Sequence, residues 1–333
     1  YGAYSVPAAA QAFAHCDTLL AIGTCFAEIP TGSFSMQVPE NLVHVDINPK
    51  VFHKNYPAKY TLQGDAKEIT AVLLDRLKHI RKQKPDVSTL TADIKAAKAS
   101  YQEEWSKHNF SRVNPGKFFS SLRAKINDDA FSVADDGNHT FLMAELFPIY
   151  RSKHFISPTD FNCMGYAVPA AIGTKLANPD KQVIAVVGDG AYLMTCMEII
   201  TAKTLGLGIV YFVFSDGELS QISQGQKVPY NKKTCTVLGK VNVEGTAIAT
   251  GAEFYSISQD SDIDQVITDA LEFAERKKTP VVVDVHIDYS KKTRFTQGVV
   301  KAVLKKFPFR DKLRFVGRAL WRKVKLPEQD TLL

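Results

Sequence analysis

The chain has 333 residues, 45% of them hydrophobic and 23% charged, with a formal net charge of +6. This is the balance of an ordinary soluble protein of about two domains, and it excludes a disordered or fibrous chain. No apolar run approaches the roughly 18 residues of a membrane span, and nothing at the start resembles a signal peptide. Cys16, Cys25, Cys163, Cys196 and Cys235 are widely spaced and form no Cys-x-x-Cys pair. Reduced thiols in a cytoplasmic protein are therefore expected, not a disulfide framework or a zinc site.

Residues 1–83 alternate helix and strand patterns. A helix near 7–15 precedes a strand over 17–23 that ends in a glycine turn. A second strand covers 41–47 before Asn48-Pro49, and a third begins at Tyr60. It leads into a helix whose apolar residues Ile69, Val72, Leu73, Leu77 and Ile80 recur at helical spacing. Alternation of this kind gives a parallel sheet with helical crossovers. The first helix already belongs to a sheet whose earlier strands are missing, so this domain is expected to be truncated on its N-terminal side. Residues 84–115 turn polar and read as a linker, with a helix carrying only a thin stripe of Ile94, Ala97, Tyr101 and Trp105.

A second α/β domain is expected over 116–295. A strand at 130–134 runs into Asp135-Asp136-Gly137-Asn138-His139, and Phe155-Ile156-Ser157 leads to Asn162-Cys163-Met164-Gly165-Tyr166 and a helix of small residues. The run Val183-Ile184-Ala185-Val186-Val187 opens directly into Gly188-Asp189-Gly190, and a later run, 209–214, delivers Ser215-Asp216-Gly217. Strands over 251–257 and 280–285 flank a helix bearing Ile263, Val266, Ala270, Leu271 and Phe273, which Ser261 is placed to cap. The fold class is α/β, two doubly wound parallel-sheet domains followed by a basic amphipathic C-terminal tail at 296–333. In the tail, Lys and Arg recur from Lys301 to Lys325 against one acid, Asp311, while Leu313, Val316, Leu320 and Val324 share a helical face. Such a helix binds a surface, either a membrane or its own protein. No nucleic-acid recognition fold accompanies the charge.

Asp189 and Asp216 each follow a strand of the same parallel sheet. Their carboxylates therefore lie on one edge, where ligands bind. Together they suit a cation, and the helix start beside them suits an anion, which suggests a magnesium-bound diphosphate. A dinucleotide fingerprint would need a small residue at Leu193, and no Walker loop, His-Glu-x-x-His or Gly-x-Ser-x-Gly is present. Read singly, His139 is a loop histidine, Met164 a core residue, Glu198 a structural acid, and Cys163 and Cys196 inert packing.

The constellation in order is Gly137-Asn138-His139, Asn162-Cys163-Met164-Gly165, Gly188-Asp189-Gly190, then Asp216 and Glu218. With the stretch from Met164 to Pro179 and Asp46-Ile47-Asn48-Pro49, it resembles the thiamine diphosphate-dependent decarboxylase and carboligase family. The likeness is closest to the C-terminal half of the acetolactate synthase catalytic subunit. It implies magnesium held by Asp189 and Asp216, where the family usually has asparagine at the second position, and by the backbone carbonyl of Glu218. It implies cofactor contacts from Gly137, Asn138, His139, Cys163, Gly188, Gly190, Ala191 and Leu219, with Met164 holding the cofactor bent. The first domain becomes the family's central domain. The activating glutamate belongs to a pyrimidine-binding domain outside this chain, in the same protein or another subunit of a homodimer or homotetramer.

The implied reaction is decarboxylation of a 2-oxo acid such as pyruvate, followed by carboligation. The tryptophan and methionine that shape the acceptor pocket of acetolactate synthases correspond to Gly225 and Gln221, so that pocket differs. Two alternatives follow. One is a peripheral-membrane pyruvate oxidase type carrying FAD. The other is a non-catalytic regulatory relative, against which the intact Asp189 and Asp216 pair argues.

Overall fold

The computed structural model describes residues 2–14, 16–80, 86–109, 111–159, 161–325 and 329–331. Two compact units emerge, residues 1–103 with 294–307, and residues 104–293 with 308–333.

In the first unit, β1 (Thr18–Ile22), β2 (Asn41–Asp46) and β3 (Tyr60–Gln63) form a parallel sheet in that order. Leu42 and Val45 of the middle strand are fully buried, and Ala21, Phe26 and Met36 close a small core around Leu42. The helix Ala66–Ile80 has the expected apolar stripe but buries none of it; Val72, Leu77 and Ile80 are exposed. A stripe of that kind needs a further layer of structure to cover it. The helix Arg294–Lys306, from the start of the tail, joins this unit by packing on the turn Gly2–Tyr4. The Phe295 and Tyr4 rings lie 4.7 Å apart, and a Cβ at Gly298 would stand 2.3 Å from the Ala3 carbonyl.

The second unit is built on six parallel strands in the order β5-β4-β6-β7-β10-β9. These are β4 (Phe131–Ala134), β5 (Phe155–Ile156), β6 (Val183–Gly188), β7 (Val210–Phe214), β9 (Glu253–Ile257) and β10 (Val281–Val285). Short β8 (Lys232–Thr234) pairs separately with β11 (Gln329–Thr331). The side chains of β7 are all buried, as are those of β6 up to its closing glycine. Strands covered on both faces carry continuous apolar sequence, which is why these two runs stand out along the chain. Chain order reverses between β4 and β6, and their carboxyl ends part to leave a crevice.

Small residues let the helix Ala167–Ala177 lie close on the sheet, with Ala167, Val168 and Ala171 fully buried. On the helix Ile263–Lys277 the buried stripe is Ile263, Ile267, Ala270, Leu271 and Ala274. The expected cap at Ser261 is displaced. A 3-10 turn, Asp260–Asp262, precedes that helix, and Gln259 with Asp262 closes a capping box around it. The reciprocal pair satisfies two backbone donors where a serine would satisfy one. The polar stretch before this unit is firmly fixed at its end. Trp105 is fully buried, and Asn114 both caps the helix Pro115–Lys125 and donates from Nδ2 to the Trp105 carbonyl at 3.1 Å.

Candidate functional site

Four strand ends meet at the crevice. After β4, Asp135 is completely buried, and its carboxylate accepts from the amides of Gly165 at 2.9 Å, Ala167 at 2.7 Å and Asp136 at 2.9 Å. One side chain thus ties the β4 loop to the Met164 turn. That turn bends through left-handed backbone at Asn162 (φ 56°) and Gly165 (φ 82°). Gly137 has φ 151°, and a Cβ there would stand 2.8 Å from the His139 ring. The same ring limits Gly188, whose Cβ would come within 3.2 Å of it. Glycine at both positions lets the imidazole lie flat between the two loops.

After β6, Asp189 holds the second pair of loops together. Its Oδ1 accepts from Gly190 N at 2.8 Å, and its Oδ2 accepts from Asp216 N at 3.2 Å and Gly217 N at 2.8 Å. Asp216 accepts a hydrogen bond from the Ser220 hydroxyl, and the Glu218 carboxylate is paired with Lys233 Nζ at 2.5 Å. Leu219 N donates to Thr236 O and Leu238 N to Gly217 O, both at 2.8 Å. The Glu218 carbonyl lies between these two bonds, and neither uses it. A Cβ on Gly190 would sit 2.5 Å from Leu219 Cδ2 and 3.6 Å from Met164 Cε, so both side chains rest over a glycine.

The resulting cavity, about 550 Å³, is lined by eleven of the expected residues: Gly137, Asn138, His139, Met164, Gly188, Asp189, Gly190, Ala191, Asp216, Glu218 and Leu219. Cys163 does not line it, since the Met164 turn presents only its neighbour. The sequence reading missed Asp136, Ser220, Ile222 and Tyr289, which also line the cavity, and the Asp135 tie behind it. Gln221 is on the wall, whereas Gly225 is not and faces open space. An acid at the end of a strand was the available signal for Asp135. Tyr289 carries no signal, because only the return of the chain after β10 brings it here.

Four carboxylates line this cavity, Asp136, Asp189, Asp216 and Glu218, and Glu218 among them is paired with Lys233. Burial pushes Asp136, Asp189 and Asp216 above the usual carboxylate range. Asp216 reaches about 7, with the charges of Asp189 and Glu218 adding to the burial and the Ser220 hydrogen bond opposing it. Burial lowers His139 to about 3, so its imidazole is neutral. Tyr289 is raised by burial and by the nearby Asp216 and Asp189 charges. Among the described residues, no three His, Cys, Asp or Glu side chains are grouped to hold a metal. The site instead offers two aspartates, a free backbone carbonyl and room for oxygens from a ligand.

Residues 135–285 match the thiamine pyrophosphate enzyme C-terminal TPP binding domain, and residues 1–73 match the central domain of the same enzymes. The chain belongs to the thiamine pyrophosphate enzymes. It is 30% identical over 230 residues to the acetolactate synthase large subunit of Corynebacterium glutamicum, covering 69% of this chain and 37% of that protein. The probable acetolactate synthase large subunits of Methanocaldococcus jannaschii and Methanococcus aeolicus are 29% and 27% identical. Those matches cover 86% and 82% of this chain, and 49% and 47% of the relatives. The chain thus spans half or less of the length of these relatives.

The residues fit thiamine diphosphate. Asn138 Nδ2 and Oδ1 and His139 Nε2 are buried at the cavity wall without a hydrogen-bond partner. Buried polar atoms are normally hydrogen-bonded to protein or water, so these three stand available to a ligand in the cavity. The Gly190 surface is a cradle that any Cβ would fill.

Proposed function

We propose that this chain anchors thiamine diphosphate through magnesium and forms the anchoring part of an acetolactate synthase-like enzyme, which decarboxylates a 2-oxo acid such as pyruvate and joins the product to an acceptor carbonyl. The observation that carries this reading is the charge of the cavity. Lys233 pairs with Glu218, but Asp136, Asp189 and Asp216 have no lysine or arginine paired with them among the described residues, so a diphosphate beside them calls for a divalent ion. Asp189 and Asp216 would ligate the ion through carboxylate oxygens and Glu218 through its carbonyl, while Lys233 holds the Glu218 side chain aside. Gly190 and Ala191 would give backbone amides to the diphosphate, and Asn138 and His139 would complete its hydrogen bonds. Met164, over Gly190, would set the bend of the cofactor.

When bound, thiamine supplies the electron sink that 2-oxo acid decarboxylation requires. The protein residues orient and neutralise it. Among the described residues Glu218 is the one glutamate on the cavity wall, and the activating acid would come from a partner domain. Leu193, Met194, Met197 and Ile200, exposed on the segment that follows Asp189, are the apolar surface such a domain would cover in a dimer or tetramer.

Calorimetry with thiamine diphosphate tests the anchoring step. Binding is expected with magnesium and absent with a chelator, and equal binding in both would overturn the reading. A pyruvate turnover assay, with and without a separately supplied pyrimidine-binding domain, tests the assignment of the acid. Full turnover by the chain alone would refute it. A second reading, a peripheral-membrane enzyme of this kind, is favoured by one observation: the last helix turns its apolar side outward.

A further inference from the structure

The helix Phe309–Lys325 is inverted relative to a helix that docks on its own protein. Its half-buried positions are Lys312, Phe315, Ala319 and Arg322. Arg322 fixes it to the helix Ser220–Tyr230 by donating to the Pro229 carbonyl at 2.5 Å and lying over the Tyr230 ring at 5.5 Å. The apolar stripe points the other way. Phe309 is 76% exposed, Leu313 58%, Val316 46%, Leu320 59% and Val324 83%. At about 100° per residue these five fall within one narrow sector. Arg310 and Arg314 run along one border of the stripe and Lys312 and Lys323 along the other, with Arg318 on the far face. Trp321, also exposed, falls between Arg310 and Arg314 on the arginine border.

Exposed apolar side chains in an unbroken row require a cover, and the charges choose which. A second copy would set two arginine-bordered stripes against each other and bring like charges together. A bilayer of anionic lipid offers hydrocarbon to the stripe and headgroup phosphates or carboxylates to both borders at once. No helix among the described residues is long and apolar enough to cross a membrane, so the contact would lie in the plane of the interface. We infer that the outward face of helix Phe309–Lys325 is a docking surface for anionic membrane lipid, with Phe309, Leu313, Val316, Leu320 and Val324 entering the acyl boundary. This deepens the peripheral-membrane reading and is independent of the thiamine assignment.

The test is partition of the full chain onto phosphatidylcholine vesicles with and without phosphatidylserine, followed by sedimentation and tryptophan emission. The chain's only other tryptophan, Trp105, is fully buried, so a blue shift reports Trp321. Binding and a blue shift are expected with phosphatidylserine alone, weakening as salt rises. Leu313→Glu with Leu320→Glu should abolish both. Arg310→Glu with Arg314→Glu should weaken partition at least about twentyfold, each basic residue near an anionic surface being worth about fivefold. All four positions are exposed, and thiamine diphosphate calorimetry on the same preparations checks that the fold is kept. No partition, equal partition onto neutral vesicles, or partition unchanged in the leucine variant would overturn the inference. Self-association that the leucine variant abolishes would overturn it too, in favour of a second copy. Loss of cofactor binding would count against the thiamine assignment and leave the vesicle result standing.

Discussion

Replacing Asp216 by asparagine separates the burial of this acid from its role as a ligand. Burial raises its pKa from 3.8 to about 7, so the folded protein holds a proton that the unfolded chain releases. The sign follows directly: the stability contributed by the protonated form is fully present below about 3.8 and is lost as pH rises through about 7. A shift of about three units corresponds to at most about 4 kcal/mol, because the partly exposed carboxylate is screened by solvent. The metal-free Asp216→Asn variant should therefore match the wild type at pH 4 and exceed it in stability at pH 8. Magnesium binding has the opposite requirement, an ionised ligand. Apparent wild-type affinity should fall about tenfold for each pH unit below 7, and the variant should lack that component. Urea unfolding of the metal-free protein and calorimetry with magnesium and thiamine diphosphate, each as a function of pH, measure the two effects. Asp189 titrates in both proteins, so only their difference reports Asp216. Parallel pH profiles for variant and wild type would refute the reasoning.

Asn138→Leu removes two buried, unpartnered polar atoms at similar volume, and the cofactor-free protein should gain about 1–3 kcal/mol in urea unfolding while diphosphate affinity falls. Gly190→Ala places a Cβ 2.5 Å from the end of the flexible Leu219 side chain. Leu219 has to turn into the cavity, so stability should drop by less than about 2 kcal/mol while calorimetry records a clear loss of thiamine diphosphate affinity. Asp135→Ala leaves the amides of Asp136, Gly165 and Ala167 without their acceptor. It should cost about 3 kcal/mol or more, seen in thermal unfolding, although Asp135 itself does not line the cavity.

The positions of Asp189 and Asp216 were legible because parallel strands buried on both faces write themselves as uninterrupted apolar runs, and the residue after such a run has only one edge to occupy. Glycine was legible at 137, 188 and 190 as part of a motif, but its reason was not. At 188 and 190 the His139 ring and the Leu219 methyl group that forbid a Cβ come from other segments. Asp135 and Tyr289 escaped notice because their roles depend on convergence, an acid reaching across to the amides of a later turn and a phenol carried back after β10. Cys163, next to Met164 in the turn, is not on the cavity wall. In the first unit the apolar period of Ala66–Ile80 gave the helix correctly. Periodicity predicts an amphipathic face without saying what covers it.

The cavity's several irregularities have one physical cause. Carboxylates pushed toward neutrality, a histidine held neutral and an asparagine with no partner at either amide atom are each unfavourable in an empty pocket. The proposed magnesium ion and diphosphate would answer all of them together. The ion would restore the charged form of Asp189 and Asp216, and the diphosphate oxygens would accept from the amide and imidazole nitrogens. The Gly190 surface accepts the ligand without a side chain to displace. The diphosphate alone would face Asp189 and Asp216 with no cation paired to them, and the ion alone would leave Asn138 and His139 unpaired. The free energy of filling the pocket is therefore shared between ion and diphosphate, and each should raise the affinity of the other by the same factor. In this site the cofactor acts as the last piece of the polar interior, which ties its binding to the stability of the fold.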